Sequence, residues 1–416
     1  MKLKLHWQIL IAMVIGLGFG LIFQNQYDGN PNGAFYNIII SLGTIFVRLL
    51  KMVIVPLIFT SIVTGVSGIG SGKSLGRIGL KTFLYYTVSS LFAILIGLTL
   101  VNFLEPGVGV NIVENANFDA SKLQTNNSPA DILIRMIPLN PIKAMASGDM
   151  LGIIFFAIFL GVAITKIKTK HQQFIRNIFE SSFEAIMKVT EIVIKFAPLG
   201  VVGLITKAIS TSGFGLFAAV GKYMLTIALG LSIHIFVVLP LIFFLITRIN
   251  PIHHFKAMAS AMATAFSTSS SNATLPVTMQ CVEENAGVSN KVSSFVLPMG
   301  ATVNMDGTAL YECAGVLFIA QVMGIDLSVS QQFIVVLTAL LASIGAAGIP
   351  SAGLVMIFIV TQAVGFNDTD VAIIVGAMLA VDRPLDMFRT VVNITSDSIG
   401  TAIIAKTEGE ELYNNR

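Results

Sequence analysis

Nine apolar stretches divide this chain, at roughly 7–23, 37–66, 80–103, 130–165, 175–205, 215–247, 292–325, 330–364 and 370–405. Several approach or exceed the roughly 20 residues that a helix needs to cross a bilayer. That feature alone points to an all-α polytopic membrane protein. Composition agrees: 11% of the 416 residues are charged, against about 25% in water-soluble domains, and mean hydropathy is +0.84. Some stretches are too long for one perpendicular crossing, which implies tilt, breaks or re-entrant pieces. Pro138 and Pro141 in "RMIPLNPIKAMASGDM" break the fourth. A net charge of +3, with the basic residues in short loops and not in a patch, is too small to suggest a nucleic-acid partner, and none is expected. Cys281 and Cys313 lack metal-ligand spacing and are too few for a disulfide framework.

The opening "MKLKLHWQILIAMVIGLGFGLIF" has the charged start of a signal peptide, but its apolar part runs to Phe23 without a small-residue cleavage site. A retained first helix is expected; an amphipathic surface anchor would need a charged face, which is missing. Basic residues cluster at Lys2/Lys4, Lys73/Arg77/Lys81, Lys166/Lys168/Lys170/Arg176 and Arg248/Lys256, whereas loop 24–36 carries none and loop 104–128 only Lys122. The positive-inside rule then places the N-terminus and the basic loops in the cytoplasm. Beyond Arg248 the alternation survives only if two segments enter and leave on the same side, which leaves both termini cytoplasmic.

Two tracts fit that requirement. "ATAFSTSSSNATLP" (263–276) and "ASIGAAGIPSAG" (342–353) are rich in small or hydroxyl residues, and each holds a proline, Pro276 or Pro350. Neither makes a good uninterrupted helix. Read as surface loops, they would be expected to carry Lys, Arg, Asp or Glu, and neither does. Each precedes an apolar helix with a polar interruption, a repetition expected of inverted-repeat transporters, in which paired interrupted segments mark the binding site. "GVSGIGSGKS" (65–74) imitates a phosphate-binding loop, but Ser67 stands where the first glycine is required and no buried strand precedes it.

The polar interruption after the second tract is "DRPLDMFRTVVNITSD" (382–397). At about 100° per residue, Asp382, Asp386, Arg389, Thr390, Asn393 and Asp397 fall in one stripe roughly 100° wide. Phe388, Val391 and Val392 face the other way. Each charge at mid-bilayer costs roughly 2.5–3.5 kcal/mol on insertion scales, so the group must face protein or water and find partners. An internal ladder, Asp386 to Arg389 and Asp382 to Arg383, is one solution. It leaves Asp397 without a cation and does not account for Asn304 and Asp306 in "NMDGT". Asp306, Asp386 and Asp397 outnumber the one central arginine, so a mobile cation is expected. Asp, Asn, Thr and carbonyl oxygens are hard ligands suited to alkali ions. Arg389 can clamp a carboxylate bidentately, Asp386 suits an ammonium, and a helix-start amide row in "SSSNAT" or "AAGIPSAG" suits a second carboxylate. Together these describe an acidic amino acid.

With those residues in view, the chain resembles the glutamate transporter family, the dicarboxylate/amino acid:cation symporters, and most of all its prokaryotic glutamate/aspartate members. The resemblance covers essentially the whole chain, and its marks are "SSSNATLP", "NMDGTALYE", "SIGAAGIPSAG" and "LDMFRTVVNITSD". It implies eight transmembrane helices, two re-entrant helical hairpins, inverted repeats and elevator-type alternating access. It implies that Arg389 binds the substrate side-chain carboxylate, Asp386 the α-amino group, and Thr390 and Asn393 further substrate atoms. Ser269, Ser270 and Ser271 would line the pocket from the first hairpin, and Thr308 would touch substrate. Gly348, Ile349 and Gly353 would belong to the gating second hairpin. Sodium would be held at Gly300, Asn304, Asn393 and Asp397, at Tyr86, Ser89, Ser90, Asn304 and Asp306, and at Thr302 with carbonyls of the second hairpin. Read without the family, the serines and Tyr86 of "LYYTVSS" are as well explained by packing.

Two positions depart from family patterns: Ser269 matches the animal carriers where archaeal members have arginine, and Met387 stands where the animal carriers have arginine. Arg383, one turn earlier, is the nearby substitute, with pairing to Asp382 its other reading. Glu312 occupies the position where, in relatives, glutamate goes with proton coupling, so it is the candidate proton carrier. The family division assigns 1–78 and 107–211 to a trimeric scaffold (helices 1–2 and 4–5). It assigns 79–106 (helix 3) and 212–416 to a mobile transport domain, with helix 6, hairpin 1 at about 251–287, helix 7 at about 290–325, hairpin 2 at about 330–365 and helix 8 at about 369–408. The expected function is symport of L-glutamate or L-aspartate with Na+, H+ or both across the cell (inner) membrane, by a homotrimer that is not an enzyme and has no catalytic residues. The rival expectation is a C4-dicarboxylate:cation symporter, against which the carboxylate of Asp386 speaks. An anion channel needs neither ammonium nor sodium ligands, and a serine hydrolase lacks a base, since all five histidines lie away from "SSSNATLP".

Overall fold

The computed structural model describes residues 5–27, 33–67, 73–110, 134, 137–212, 215–344, 352–366 and 368–413. Lys2, Lys4, Lys122, Gly348, Ile349 and Pro350 lie outside them. Among the described residues all regular structure is helical.

The first half of the chain forms α1 (Leu5–Tyr27), α2 (Ala34–Ser67), α3 (Lys73–Leu104), α4 (Pro141–Ser147), α5 (Met150–Ile164), α6 (Thr169–Lys195) and α7 (Ala197–Ser212). Pro141 opens α4, where a missing N–H costs nothing, and Asn140 caps it by accepting from the amides of Ile142 and Lys143. The single stretch expected at 175–205 is instead two helices bent by 54°. Pro198, second residue of α7, cannot continue the ladder of α6. α7 packs on both α1 and α2. It crosses α2 in backbone contact: a methyl at Gly203 would stand 2.5 Å from the amide nitrogen of Gly43. Small residues at such a crossing replace the hydrophobic drive that lipid does not supply.

The second half begins with α8 (Gly215–Ile233), which runs through a π segment (His234–Val238) into α9 (Leu239–Thr247). A helical hairpin follows, α10 (Pro251–Thr268) and α11 (Ser271–Gln280), ending in a second π segment, Cys281–Asn285. Then come α12 (Asn290–Val303), α13 (Asp306–Val322), α14 (Val329–Ser343), α15 (Ala352–Ala363) and the 40-residue α16 (Asp368–Thr407). Among the described residues three spans are long and apolar enough to cross a bilayer: Ala34–Ser67, Arg77–Leu104 and Leu216–Thr247. The bent pair α6–α7 is a fourth if it counts as one span.

The core of this half is α13, buried on nearly every side from Asp306 to Val322, as expected of a helix that is apolar all round. α3, α8, α14, α15 and α16 all pack on it. The chain end is tied down as well. Arg77 and Lys81 of α3 pair with Glu408 just past α16, and Tyr413 Oη lies 2.6 Å from His254 Nδ1 of α10. The two guanidinium and ammonium partners hold the Glu408 carboxyl down to about 2.

Candidate functional site

α16 turns its polar stripe inward: Asp382, Asp386, Arg389, Thr390, Asn393 and Asp397 are all buried. Arg389 Nη2 donates to Asp386 Oδ1 at 2.8 Å and to Asp382 Oδ1 at 3.1 Å. Arg383 Nη1 lies 3.6 Å from Asp386 Oδ2. The pairing of Arg383 with Asp382 is thereby corrected: adjacent residues on a helix point about 100° apart, whereas those three or four apart share a face. Asp386 is shared by two guanidinium groups.

The Arg389 guanidinium lies over the Tyr311 ring of α13, with Cζ 3.8 Å from the centroid. Gly353 of α15 comes close too; a methyl there would stand 3.4 Å from Nη1. Both Nε and Nη1 lack a hydrogen-bond partner. An unsatisfied buried donor costs about 1–3 kcal/mol, more when charged. Two idle donors on one planar cation suit an incoming carboxylate.

A second cluster starts one turn along α16 and is completed by the break between α12 and α13. There Asn304 and Met305 leave the helical region, at φ −108° and −121°, and Asn304 and Asp306 point into the interior. Asp306 Oδ1 accepts from Ser90 Oγ at 2.6 Å and Ser89 Oγ at 3.3 Å, both on α3. Its Oδ2 accepts from Ser396 Oγ at 2.6 Å and stands 3.0 Å from His234 Nε2. Asn304 Nδ2 donates to Asp397 Oδ1 at 2.9 Å and Ser396 Oγ at 3.0 Å. Tyr86 Oη donates to the Val296 carbonyl at 2.9 Å and closes, with Asp397, on the bare backbone of Gly300. Asn393 Oδ1 accepts from the Gly307 amide at 2.8 Å, and its Nδ2 reaches Thr308 Oγ1 at 3.3 Å.

The cluster is built of carboxylate, amide and hydroxyl oxygens, the donor set of hard cations. Among the described residues no group of three or more His, Cys, Asp or Glu could hold a metal ion.

Other expected site residues stand further off or are otherwise engaged. Ser269 caps α10 in the left-handed region at φ 51°, its buried hydroxyl without a partner. Ser270 caps α11 by accepting from the Ala273 amide, and Ser271 is buried. A non-glycine residue held in that region is a strained position of the kind that clusters at ligand sites. Thr390 Oγ1 is spent on the Asp386 carbonyl, 2.8 Å away on the same helix. Thr302 bonds back to the Met299 carbonyl at 3.1 Å and lines a cavity of about 340 Å³ shared with α2 and α6. Both carboxyl oxygens of Glu312 are buried without a hydrogen-bond partner.

Reasoning from sequence missed His234, Ser396 and Tyr311. His234 carried a usable signal, since an ionisable residue inside the apolar run "GLSIHIFVV" is a site candidate by default. Ser396 lies on the edge of the stripe, while Tyr311 looks like any core aromatic.

Charges and idle donors grouped inside apolar helices, beside a helix break at Asn304 and Met305, mark a candidate solute-binding site of the kind membrane transporters carry. Comparison with known proteins gives the particular lineage. The family model described as the sodium:dicarboxylate symporter family matches residues 5–407. The chain is 36% identical to excitatory amino acid transporter 3 of Mus musculus, covering 99% of this chain and 87% of the relative. It is 34% identical to the proton/glutamate-aspartate symporter of Escherichia coli (strain K12), over 98% of this chain and 93% of that protein. Identity is 35% with the proton/sodium-glutamate symport protein of Geobacillus stearothermophilus, over 99% and 96% of the two chains. The chain belongs to the sodium:dicarboxylate symporter family. It is a multi-pass membrane transporter and not an enzyme.

Proposed function

We propose that the protein takes up L-glutamate or L-aspartate across the cell membrane, driven by co-transport of Na+, H+ or both. One observation carries this reading: a buried arginine with two idle donors shares α16 with Asp397, part of an oxygen-rich cluster that Asn304 and Asp306 complete from the break before α13. Arg389 takes the side-chain carboxylate through Nε and Nη1, Asp386 the ammonium, and the hairpin serines and Thr308 the remaining polar atoms. Asn304, Asp306, Asn393, Asp397, Tyr86, Ser89 and Ser90 supply ligands for sodium, with Gly300 leaving the space. Thr302 serves a further sodium site with carbonyls of the second hairpin. Glu312 carries the proton where protons are coupled. The names of the relatives, which include glutamate, aspartate, proton and sodium, agree with the proposed substrate and coupling ions.

The architecture proposed with it has eight spans and two re-entrant hairpins, α10–α11 and α14–α15, with both termini cytoplasmic. Residues 1–78 and 107–211 form the scaffold of a homotrimer; 79–106 and 212–416 move as the transport domain. The second hairpin is the gate, closing well only on a site filled by substrate and cation together.

The test is uptake of radiolabelled aspartate and glutamate into proteoliposomes, with sodium, proton and potassium gradients imposed one at a time. Uphill accumulation that needs a sodium or proton gradient is expected; accumulation indifferent to every ion gradient would overturn the reading. The family description names dicarboxylates, and C4-dicarboxylates are the competing substrate class. Succinate should compete poorly with aspartate, because a substrate without an amine leaves the Asp386 carboxylate facing another anion.

A further inference from the structure

Arg389 is held through one nitrogen only: Nη2 makes both hydrogen bonds to the aspartates, and Nε and Nη1 make none. Two bonds at one corner leave the plane of the guanidinium free to tilt. What it rests on must set that tilt, and the ring beneath it is Tyr311, 3.8 Å from Cζ. Tyr311 cannot set its own position through its hydroxyl, which is buried without a hydrogen-bond partner. Its neighbour on the next helix is Tyr223 of α8, fully buried, with ring centroids 6.0 Å apart and planes at 54°.

Tyr223 is fixed from two directions. Its ring stacks on Phe318 at 4.6 Å between centroids and 27° between planes. Its hydroxyl donates to the Tyr311 backbone carbonyl at 3.4 Å. That approach uses a gap at Gly315, one turn along α13, where a methyl would stand 3.2 Å from Tyr223 Oη and 2.8 Å from Ile357 Cδ1. Phe318, Tyr223, Tyr311 and Arg389 thus form a continuous row of ring contacts, stacked at Phe318 and tilted at Tyr311, drawn from α13, α8 and α16.

We infer that Tyr223 is a positioning residue for substrate selectivity: by setting the height and tilt of the Tyr311 ring it aims the idle donors of Arg389 at the substrate's side-chain carboxylate. The inference rests on the proposed role of Arg389 as that clamp. Tyr223 itself touches no substrate. Its loss should act on acidic substrates and spare amino acids that have no second carboxylate to aim at.

The experiment measures uptake and binding of aspartate and of neutral amino acids by Tyr223→Leu, Tyr223→Phe and Gly315→Ala in proteoliposomes, each also in an Arg389→Cys background. Tyr223→Leu should raise the aspartate KM about tenfold or more, with the maximal rate within about threefold. Tyr223→Phe, which keeps the ring, should recover most of that loss. Gly315→Ala, which crowds the same hydroxyl from α13, should reproduce the selectivity change should Tyr223→Leu fail to accumulate in the membrane. In the Arg389→Cys background none of the three should alter binding of whichever neutral amino acid that variant accepts. An equal fall for acidic and neutral substrates, or the same fall with and without Arg389, would overturn the positioning role. Unchanged aspartate uptake by Arg389→Cys alone would instead overturn the clamp, a separable result.

Discussion

Gly300→Ala offers a direct test of the proposed sodium cluster, because the steric cost can be read from the geometry. A methyl on Gly300 would stand 2.5 Å from Asp397 Oδ1, 2.6 Å from Tyr86 Oη and 2.7 Å from Asp397 Cγ, where ordinary contact begins near 3.4 Å. Neither neighbour is free to give way. Asp397 is held by Asn304 Nδ2 at 2.9 Å, and Tyr86 donates to the Val296 carbonyl at 2.9 Å. Forcing extra volume into a packed interior costs about 1–3 kcal/mol. If the protein relieves it by moving the Asp397 carboxylate, the cost falls on ion binding, and the sodium half-saturation constant should rise about 5- to 150-fold. The assay is a sodium titration of aspartate binding to purified protein, with thermal stability measured in sodium-free buffer alongside. Gly376→Ala is the control: its methyl would meet Leu204 Cβ at 2.6 Å, equally crowded but at the contact of α16 with α7. It should lower stability and leave the sodium titration alone. A Gly300→Ala protein that folds and titrates sodium as the parent does would refute the placement of a cation between Asp397 and Gly300.

Arg389→Cys should abolish high-affinity aspartate uptake and gain uptake of neutral amino acids, read by radiolabel in proteoliposomes. Asp306→Asn and Asp397→Asn should each weaken sodium dependence; for Asp306 the loss should be accompanied by lower stability, since four hydrogen-bond partners meet its two oxygens. An unaltered sodium titration in both would remove these residues from the ion sites. Glu312→Gln should flatten the pH dependence of uptake, and a profile identical to the parent's would remove Glu312 as proton carrier. At the chain end, Arg77 and Lys81 hold the Glu408 carboxyl down to about 2 from 4.5. A depressed folded-state value means the stabilisation is fully present above about pH 4.5 and fades as pH falls toward 2. Glu408→Gln should therefore destabilise the protein at neutral pH, with a deficit that shrinks on acidification below 4.5, followed by thermal melts.

The stripe on α16 is legible in the sequence because a helix places residues three, four and seven apart on one side whatever surrounds them. The same rule predicts that Asp382, Asp386 and Arg389 meet. The break at "NMDGT" is legible as well, since polar residues and a glycine inside an apolar run mark an interrupted helix. Contacts between helices are not legible in this way. A period says which face is polar, and not which helix it meets, so His234, 72 positions from Asp306, could be flagged as unusual but not paired. Composition hid Tyr311 and Tyr223 for the opposite reason: their rings belong in any core, and only the guanidinium above Tyr311 gives them chemical meaning. The bend at Pro198 went unread because its flanks are both apolar, and a proline near a helix start closely resembles one that kinks a helix.

Symport needs the amino acid and the ions to favour binding of one another, and the packing of α13 on α16 provides a physical route. The Gly307 amide, in the first turn of α13, donates to Asn393 at 2.8 Å. A methyl on Gly307 would stand 2.8 Å from the Arg389 carbonyl oxygen and 2.9 Å from its Cα. The backbone that carries Arg389, the proposed carboxylate clamp, thus lies against the backbone that delivers Asp306, with no side chain between them to absorb a shift. Interiors packed at this density transmit displacement instead of damping it. A cation that draws Asn304, Asp306 and Asp397 together would set the height of α13 against α16, and so the height of Tyr311 beneath the guanidinium. By linkage, a carboxylate on Arg389 must raise sodium affinity by the same factor that sodium raises affinity for the carboxylate. Gly307→Ala would wedge the two helices apart without removing a ligand. It should lower that mutual factor toward one, measured by aspartate titrations at low and saturating sodium. An undiminished factor in a folded Gly307→Ala protein would mean that the coupling runs elsewhere, through the closing hairpin and not through this contact.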